Sequence, residues 1–343
     1  MSELSLDPAS DPVARVTGLV FRAFERSRDY PAVADLLSIA NRNDGVDWLP
    51  TAESLEHEWE HHPGFAVEDD VRVAEVDGAL IGVVDHDWRQ RGERIFHNVN
   101  PVVHPDWRHR GVGRTLLAWV EARALGGAAS GAMGSTDRPH LLAGWADLEV
   151  AEVAPFAAAA GYEVAGYGVM MVRDLGLPIP DAPLPAGLEV RRVRPEDHRA
   201  IWDADCEAFQ DHRDPAVRTE ADFERWFTMP ELDTDLWEVA WDGDEVAGSV
   251  WNHVFVEENG RLGIRRGWLE HVSVGRRWRK RGLATALMTR SMQRLRDIGL
   301  TEAALGADAE NLSGAVRLYE SLGFRRARTA ANYRKAMPVG PAA

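Results

Sequence analysis

The chain has 343 residues, 45% of them hydrophobic and 27% charged, the balance of a globular protein too long for one core of ordinary size and long enough for two domains. Its 39 basic and 55 acidic residues leave a formal charge of −16, a field that opposes a nucleic-acid partner and favours a cationic one. No apolar run approaches the roughly 20 residues of a bilayer span, and the opening MSELSLDPASDP has neither the basic nor the apolar block of a leader, so a cytoplasmic protein with no membrane partner is expected.

In chain order, Gly18-Leu19-Val20-Phe21-Arg22 reads as a first strand, and the segment carrying Thr51, Leu55, Glu56 and Pro63 contains an amphipathic helix. Asp77-Gly78 lies between two strand-like runs as a hairpin turn. A further strand leads to Arg108-His109-Arg110-Gly111-Val112-Gly113 and a helix. The stretch 126–134, rich in Gly and Ala, is expected to be flexible by composition. A strand, a helix and Gly161-Tyr162 follow. Pro178, Pro180, Pro183 and Pro185 then predict an extended spacer and a boundary between domains 1–178 and 179–343.

The same order of landmarks returns. Gly187-Leu188-Glu189-Val190-Arg191 answers the first strand, Thr219, Phe223, Glu224 and Pro230 the first helical set, Asp242-Gly243 the turn, and Arg279-Lys280-Arg281-Gly282-Leu283-Ala284 the basic segment. Gly323-Phe324 answers Gly161-Tyr162. The offset runs from 162 residues at that last pair to 171 between Gly111 and Gly282, so the repeat is a whole domain. Each copy mixes strands and helices around a central sheet, an α/β fold.

Cys206 is the one cysteine; it can form neither an internal disulfide nor a thiolate metal site, and packing in a helix is expected. His57, His61 and His62 have helical spacing without a His-Glu-x-x-His pattern, so a solvated helix face and no metal are expected.

The chemistry concentrates where Gly267–Val274, a strand, runs through Arg279-Lys280-Arg281-Gly282 into a helix with apolar Leu283, Leu287, Met288, Met292 and Leu295. The first turn of a helix carries N–H groups without partners and a partial positive charge, which together make an anion site. Gly282 lets the backbone approach a phosphate, and the flanking cations add charge.

The pattern Arg-x-x-Gly-x-Gly/Ala, twice between strand and helix and twice followed by a Gly-aromatic pair, resembles the motif of the GNAT acyltransferase superfamily. The stretch from Asn311 to Phe324 is similar to the family's next motif. The resemblance implies two tandem GNAT-like domains, each a mixed central sheet flanked by helices, with acetyl-CoA as cosubstrate and no metal. It implies pyrophosphate binding by Arg279, Lys280, Arg281, Gly282, Leu283 and Ala284, and a pantetheine arm along Val272, Ser273 and Val274. It also implies that Asn311 lies near that arm and that Tyr319 is the general acid for the departing thiolate.

Glu270 precedes Val274 by four residues and shares its strand face, so it is expected to take the ammonium proton directly or through water. Recognition of the cationic substrate is the alternative, with His271 or bulk water as proton acceptor. In the first copy Arg108, Arg110, Gly111, Val112 and Gly113 keep the motif, which implies either CoA binding or a helix start alone. Ala157 stands opposite Tyr319 and Val99 opposite Glu270, so that copy is expected to be catalytically degenerate. The expected activity is N-acetylation of a primary amine on a small molecule, by a monomer or a homodimer. The alternatives are acetylation of a protein lysine or N-terminus, and a non-catalytic CoA-binding module.

Overall fold

The computed structural model describes residues 16–211, 214–309 and 314–339. They form two compact units. Unit 1 holds the described chain up to Ala165, Thr219–Pro230 and the residues from Asn332; unit 2 holds Gly166–Arg218 and Glu231–Ala331.

Unit 1 begins with β1 (Leu19–Ala23), α1 (Asp29–Asp44), α2 (Ala52–Glu60) and the single turn α3 (Val67–Asp70). Strands β2 (Val71–Val76), β3 (Ala79–Arg91), β4 (Arg94–Val99) and β5 (Val102–Val103) follow, then α4 (Val112–Ser130), β6 (His140–Asp147), α5 (Val153–Ala159) and the start of β7 (Glu163–Asp174). The sheet order is β1-β2-β3-β4-β6, antiparallel as far as β4 and parallel from β4 to β6. A parallel pair needs a crossover, and α4 supplies it.

Local sequence explains the entries and exits. Thr51 accepts a hydrogen bond from Ser54 N while the Ser54 hydroxyl takes the Thr51 N–H, a reciprocal cap that starts α2. Asp77 and Gly78 both have positive φ (50° and 83°), the paired left-handed turn that matches strand twist. In the second copy Glu245 pairs with Asp242, so the turn is Gly243-Asp244, one residue later than the sequence correspondence places it.

The stretch 126–134 is not a flexible loop. Helix α4 continues to Ser130, with Gly131 as its left-handed cap. A Cβ on Gly127 would lie 2.0 Å from Met133 Sδ, and Met133 N donates to Gly127 O at 3.2 Å. The glycine is there for this close approach, and composition alone does not distinguish that use from flexibility.

Unit 2 contains the end of β7, β8 (Glu189–Arg191) and α6 (His198–Phe209). After them the chain forms α7 (Glu220–Phe227), which belongs to unit 1, and then β9 (Glu238–Asp242), β10 (Glu245–His253) and α8 (Val256–Leu262). The unit is completed by β11 (Arg266–Val274), α9 (Leu283–Asp297), β12 (Glu302–Asp308), α10 (Ala315–Ser321) and the start of β13 (Arg325–Ala336). Its sheet runs β7-β12-β11-β10-β9-β8. Leu283, Leu287, Met288, Met292 and Leu295 of α9 are buried against Val250, Leu269, Ala303 and Leu305 of the sheet, each large side chain contributing about 1.5–3 kcal/mol of burial.

The proline-rich spacer is extended but not loose, since Ile179 and Leu184 pack on the unit 2 core and Arg173 Nη2 donates to Pro178 O at 2.7 Å. In unit 1, Asp222 of α7 accepts from Arg89 at 2.7 Å and His57 Nε2 meets Arg225 O at 3.0 Å. His62 Nε2 lies 2.9 Å from Arg89 Nη2; α2 ends at Glu60, and of His57, His61 and His62 only His61 is exposed. The end of β13 also lies in unit 1, where Lys335 pairs with Glu121 at 3.0 Å and Met337 N donates to His140 O at 3.0 Å.

Candidate functional site

In unit 2, β11 stays paired with β10 to its end but pairs with β12 only over Arg266–Trp268. Beyond that point β12 continues alongside β7 as far as Asp308. The sheet is therefore splayed, and one edge of 270–274 has no strand partner among the described residues. Such an edge offers main-chain donors and acceptors to an extended ligand.

A bulge sits at the opening. Trp251 is opposite His271 and Asn252 opposite Leu269, so Glu270 is the extra residue, and a bulge of this kind re-aims the side chain it carries. Val272 and Val274 pack on the unit 2 core. The Ser273 hydroxyl is 3.1 Å from that of Ser249, which also accepts from Trp251 Nε1 at 2.9 Å. The side chains of this stretch are thus turned into the protein, and its main chain is what faces the splay.

The basic turn follows. Lys280 (φ 58°) and Gly282 (φ 84°) are both left-handed, and α9 begins at Leu283; in unit 1, His109 (φ 60°) and Gly111 (φ 90°) repeat the pattern before α4. A left-handed conformation costs a non-glycine residue roughly 1–2 kcal/mol, so its retention at Lys280 and His109 marks a loop held for its shape. Left-handed residues placed in this way draw successive N–H groups into a concavity suited to anions. A Cβ on Gly282 would meet nothing within 4 Å, which leaves that concavity open. Leu283 and Val112 bury their side chains and so anchor each helix start. Lys280 and Arg281 are exposed, with no ion-pair partner among the described residues. Ala284 is half-buried, and at its counterpart Gly113 a Cβ would sit 3.4 Å from Val103.

The first arginine of each motif has partners within the protein. Arg279 Nε donates to Val274 O at 3.0 Å, Nη1 to Asp211 at 2.5 Å and Nη2 to Ala208 O at 3.2 Å. Arg276 and Arg279 together hold the Asp211 carboxyl well below the usual range. Arg108 repeats the arrangement, with Nε on Val103 O at 3.2 Å and a bidentate pair to Asp44 at 2.7 and 2.8 Å. Both guanidinium groups tie the turn to the end of the preceding strand and to an earlier helix. Arg110 stacks over Trp107 at 4.9 Å. Asn311 lies outside the described residues.

Tyr319, on α10, is buried in the unit 2 core and makes an edge contact with Phe324 at 6.3 Å; burial raises its phenol pKa above the ordinary value. Glu270 is exposed, yet loss of hydration raises its carboxyl pKa, opposed by His271. Cys206 is half-buried on α6, and its thiol pKa is pushed up by burial, which suits packing and not nucleophilic work.

Sequence reading missed Asp205 and Arg218. Asp205 is fully buried; its Oδ2 lies 2.8 Å from His271 Nδ1 and accepts from Arg218 Nη1 at 2.7 Å. Desolvation works against its charge, but His271 and Arg218 prevail and hold its pKa below the usual carboxylate value. The only signal in the sequence was an aspartate on the apolar side of a helix, next to Ile201 and Trp202.

In unit 1, β4 pairs with β6 from Ile95 to Asn98 and β5 pairs with β3 alone, so the sheet parts at nearly the same level; Asn100, the counterpart of His271, accepts through Oδ1 from Trp145 N at 3.2 Å. Val99 and Ala157, the counterparts of Glu270 and Tyr319, are buried.

Residues 198–324 match the Acetyltransferase (GNAT) family and residues 67–167 the Acetyltransferase (GNAT) domain. A mycothiol acetyltransferase of Geodermatophilus obscurus is 32% identical over 89% of this chain and 94% of its own length. One from Salinispora arenicola is 31% identical over 90% and 94%. Among solved structures, a GCN5-related N-acetyltransferase from Sphaerobacter thermophilus superposes with a TM-score of 0.72 at 25% identity, covering 96% of this chain and 98% of that one. A tandem GNAT protein from the clavulanic acid biosynthesis pathway shares the fold, with a TM-score of 0.66 at 17% identity over 95% and 100%. With a matched domain in each half and relatives aligned along nearly its whole length, the chain belongs to the GNAT acetyltransferase family and is an acyltransferase built from two such domains in tandem.

Proposed function

We propose that unit 2 transfers acetyl from acetyl-CoA to a primary amine on a small molecule, and that unit 1 keeps the fold and the basic turn without the chemistry. The observation that carries this reading is the pairing of a splayed, unshared β11 edge with an open left-handed turn at the start of α9. Residues 272–274 present main-chain groups where the pantetheine arm would lie. Lys280, Arg281 and the first N–H groups of α9 present positive charge where the pyrophosphate would lie. Acetyl-CoA fits this arrangement because the space above Gly282 is open and the side chains of the edge are turned inward.

Amide formation needs a neutral amine, a donor to the developing oxyanion and a proton for the thiolate. A main-chain N–H of the Val272–Val274 edge serves the oxyanion. Tyr319, a phenol kept protonated by burial, serves the thiolate. Glu270 supplies the carboxylate that meets the incoming ammonium. The relatives are named mycothiol acetyltransferases, which favours acetyl transfer to a small molecule over transfer to a protein.

The test is thiol release from acetyl-CoA with a panel of amino sugars and small primary amines, set beside lysine-containing peptides. Release with a small amine and none with the peptides is expected. The reverse would assign the site to a protein acceptor, and no release with either would remove the catalytic assignment.

A further inference from the structure

We propose that His271, oriented by Asp205, takes the proton from the attacking ammonium, while Glu270 beside it holds the cation in place. The inference rests on the reading of unit 2 as an acetyl-transfer site and names the base that the reading leaves open.

The argument begins with what a carboxylate can do. Ionised Asp205 only accepts, so the 2.8 Å contact to His271 Nδ1 places the ring proton on Nδ1 and the basic lone pair on Nε2. Asp205 is fully buried and shares Oδ2 with Arg218 at 2.7 Å, so its own position is fixed from two sides. The imidazole is fixed as well. It stacks on Trp251 at 4.6 Å and 15°, Trp251 stacks on Trp237 at 4.3 Å and 5°, and Phe209 of α6 lies 5.3 Å from the imidazole.

The pair therefore has what a positioned base needs: a set tautomer, a held ring and a buried anion to stabilise the imidazolium. His271 also follows the Glu270 bulge directly, on the stretch of β11 that β12 has left, and its side chain is 16% exposed. Among the described residues, the charged and titratable groups facing it include Asp205 on α6, backed by Arg218, which also reaches Cys206, and Glu270 on its own strand.

In the step itself the ammonium gives one proton to His271 Nε2 and becomes a neutral amine. The amine nitrogen attacks the thioester carbon, the C–N bond forms, and the C–S bond breaks. Tyr319 gives its proton to the departing sulfur and regains one from the acylated nitrogen. His271 returns its proton to solvent, so amide, free thiol and one proton are the products.

The test compares the wild type with His271→Gln and Asp205→Asn, using acetyl-CoA and the best small amine of the panel. Both variants are expected to lose about 100-fold or more in kcat, to keep acetyl-CoA affinity by calorimetry, and to lose the acid limb of the wild-type pH–kcat profile. Variants within twofold of wild type with that limb intact overturn the inference while leaving the acetyltransferase reading standing. Absence of acetyl-CoA binding in the wild type overturns the reading itself. Should a variant fail to fold, nitrogen-15 NMR of the wild-type imidazole decides: a proton on Nδ1 is expected, and a proton on Nε2 alone contradicts the proposal.

Discussion

The phenol of Tyr319 and the imidazole of His97 illustrate how burial acts on single residues. Tyr319→Phe removes one oxygen and leaves the ring packed against Phe324, so its effect should fall on chemistry. A fall in kcat of about 100-fold with acetyl-CoA affinity unchanged is expected in steady-state and calorimetric measurements. His97 belongs to a buried ladder in unit 1: His86 Nε2 to His97 Nδ1 at 3.0 Å, His97 Nε2 to His140 Nδ1 at 2.9 Å, and His140 Nε2 to Ser135 O at 3.1 Å. Because the carbonyl can only accept, every ring donates from Nε2, and His97 has both nitrogens engaged while neutral. Burial, with His86 and His140 on either side, pushes its pKa down to about 3. The unfolded chain takes up this proton near pH 6.5 and the folded one only near 3, so the stabilisation is present above 6.5 and is lost as pH falls towards 3. Stability of unit 1 should fall by about 1.4 kcal/mol per pH unit across that window on account of this group. Denaturant titrations at stepped pH should show the slope in the wild type and a shallower one in His97→Gln. An equal slope in the two would refute it.

At the scale of elements, α9 joins core and site, because the residues that bury its inner face also fix where its first N–H groups point. Leu287 is fully buried, and Leu287→Ala should cost about 2–5 kcal/mol, readable by chemical denaturation; a loss under 1 kcal/mol would mean that the helix is not seated as described. Most of this level was legible in the sequence. The apolar spacing of Leu283, Leu287, Met288, Met292 and Leu295, the caps at Thr51 and Thr219, and the left-handed turns all act within a few residues of themselves. What escaped acts over distance. The carboxylate partner of Arg279, Asp211, lies far back along the chain. Asp205 was marked only by its place on the apolar side of a helix until the fold set it beside His271. Gly127 looked loose because its packing partner, Met133, sits beyond the helix end.

At the scale of the whole molecule, the two copies preserve the backbone of the basic turn and differ in the side chains at corresponding positions. The alternating left-handed residues before α4 and α9 are retained, as is the arginine that ties each turn to its strand. Tyr319, Glu270 and His271 are found in unit 2, while Ala157, Val99 and Asn100 stand at the corresponding places of unit 1. On the proposed function, a duplicated fold that keeps shape in one copy and chemistry in the other accounts for these differences.

The direct test is calorimetric titration of acetyl-CoA into the wild type, Gly282→Glu and Gly111→Glu. Each substitution sets a carboxylate at the start of a helix where a pyrophosphate would dock; at Gly282 the added atoms meet open space, and both positions share the left-handed backbone cost of roughly 1–2 kcal/mol (φ 84° and 90°), so the two variants control for each other's backbone strain. Loss of binding in Gly282→Glu with binding kept in Gly111→Glu is the predicted result. Wild-type affinity in Gly282→Glu would contradict the assignment of unit 2 as the site of acetyl transfer.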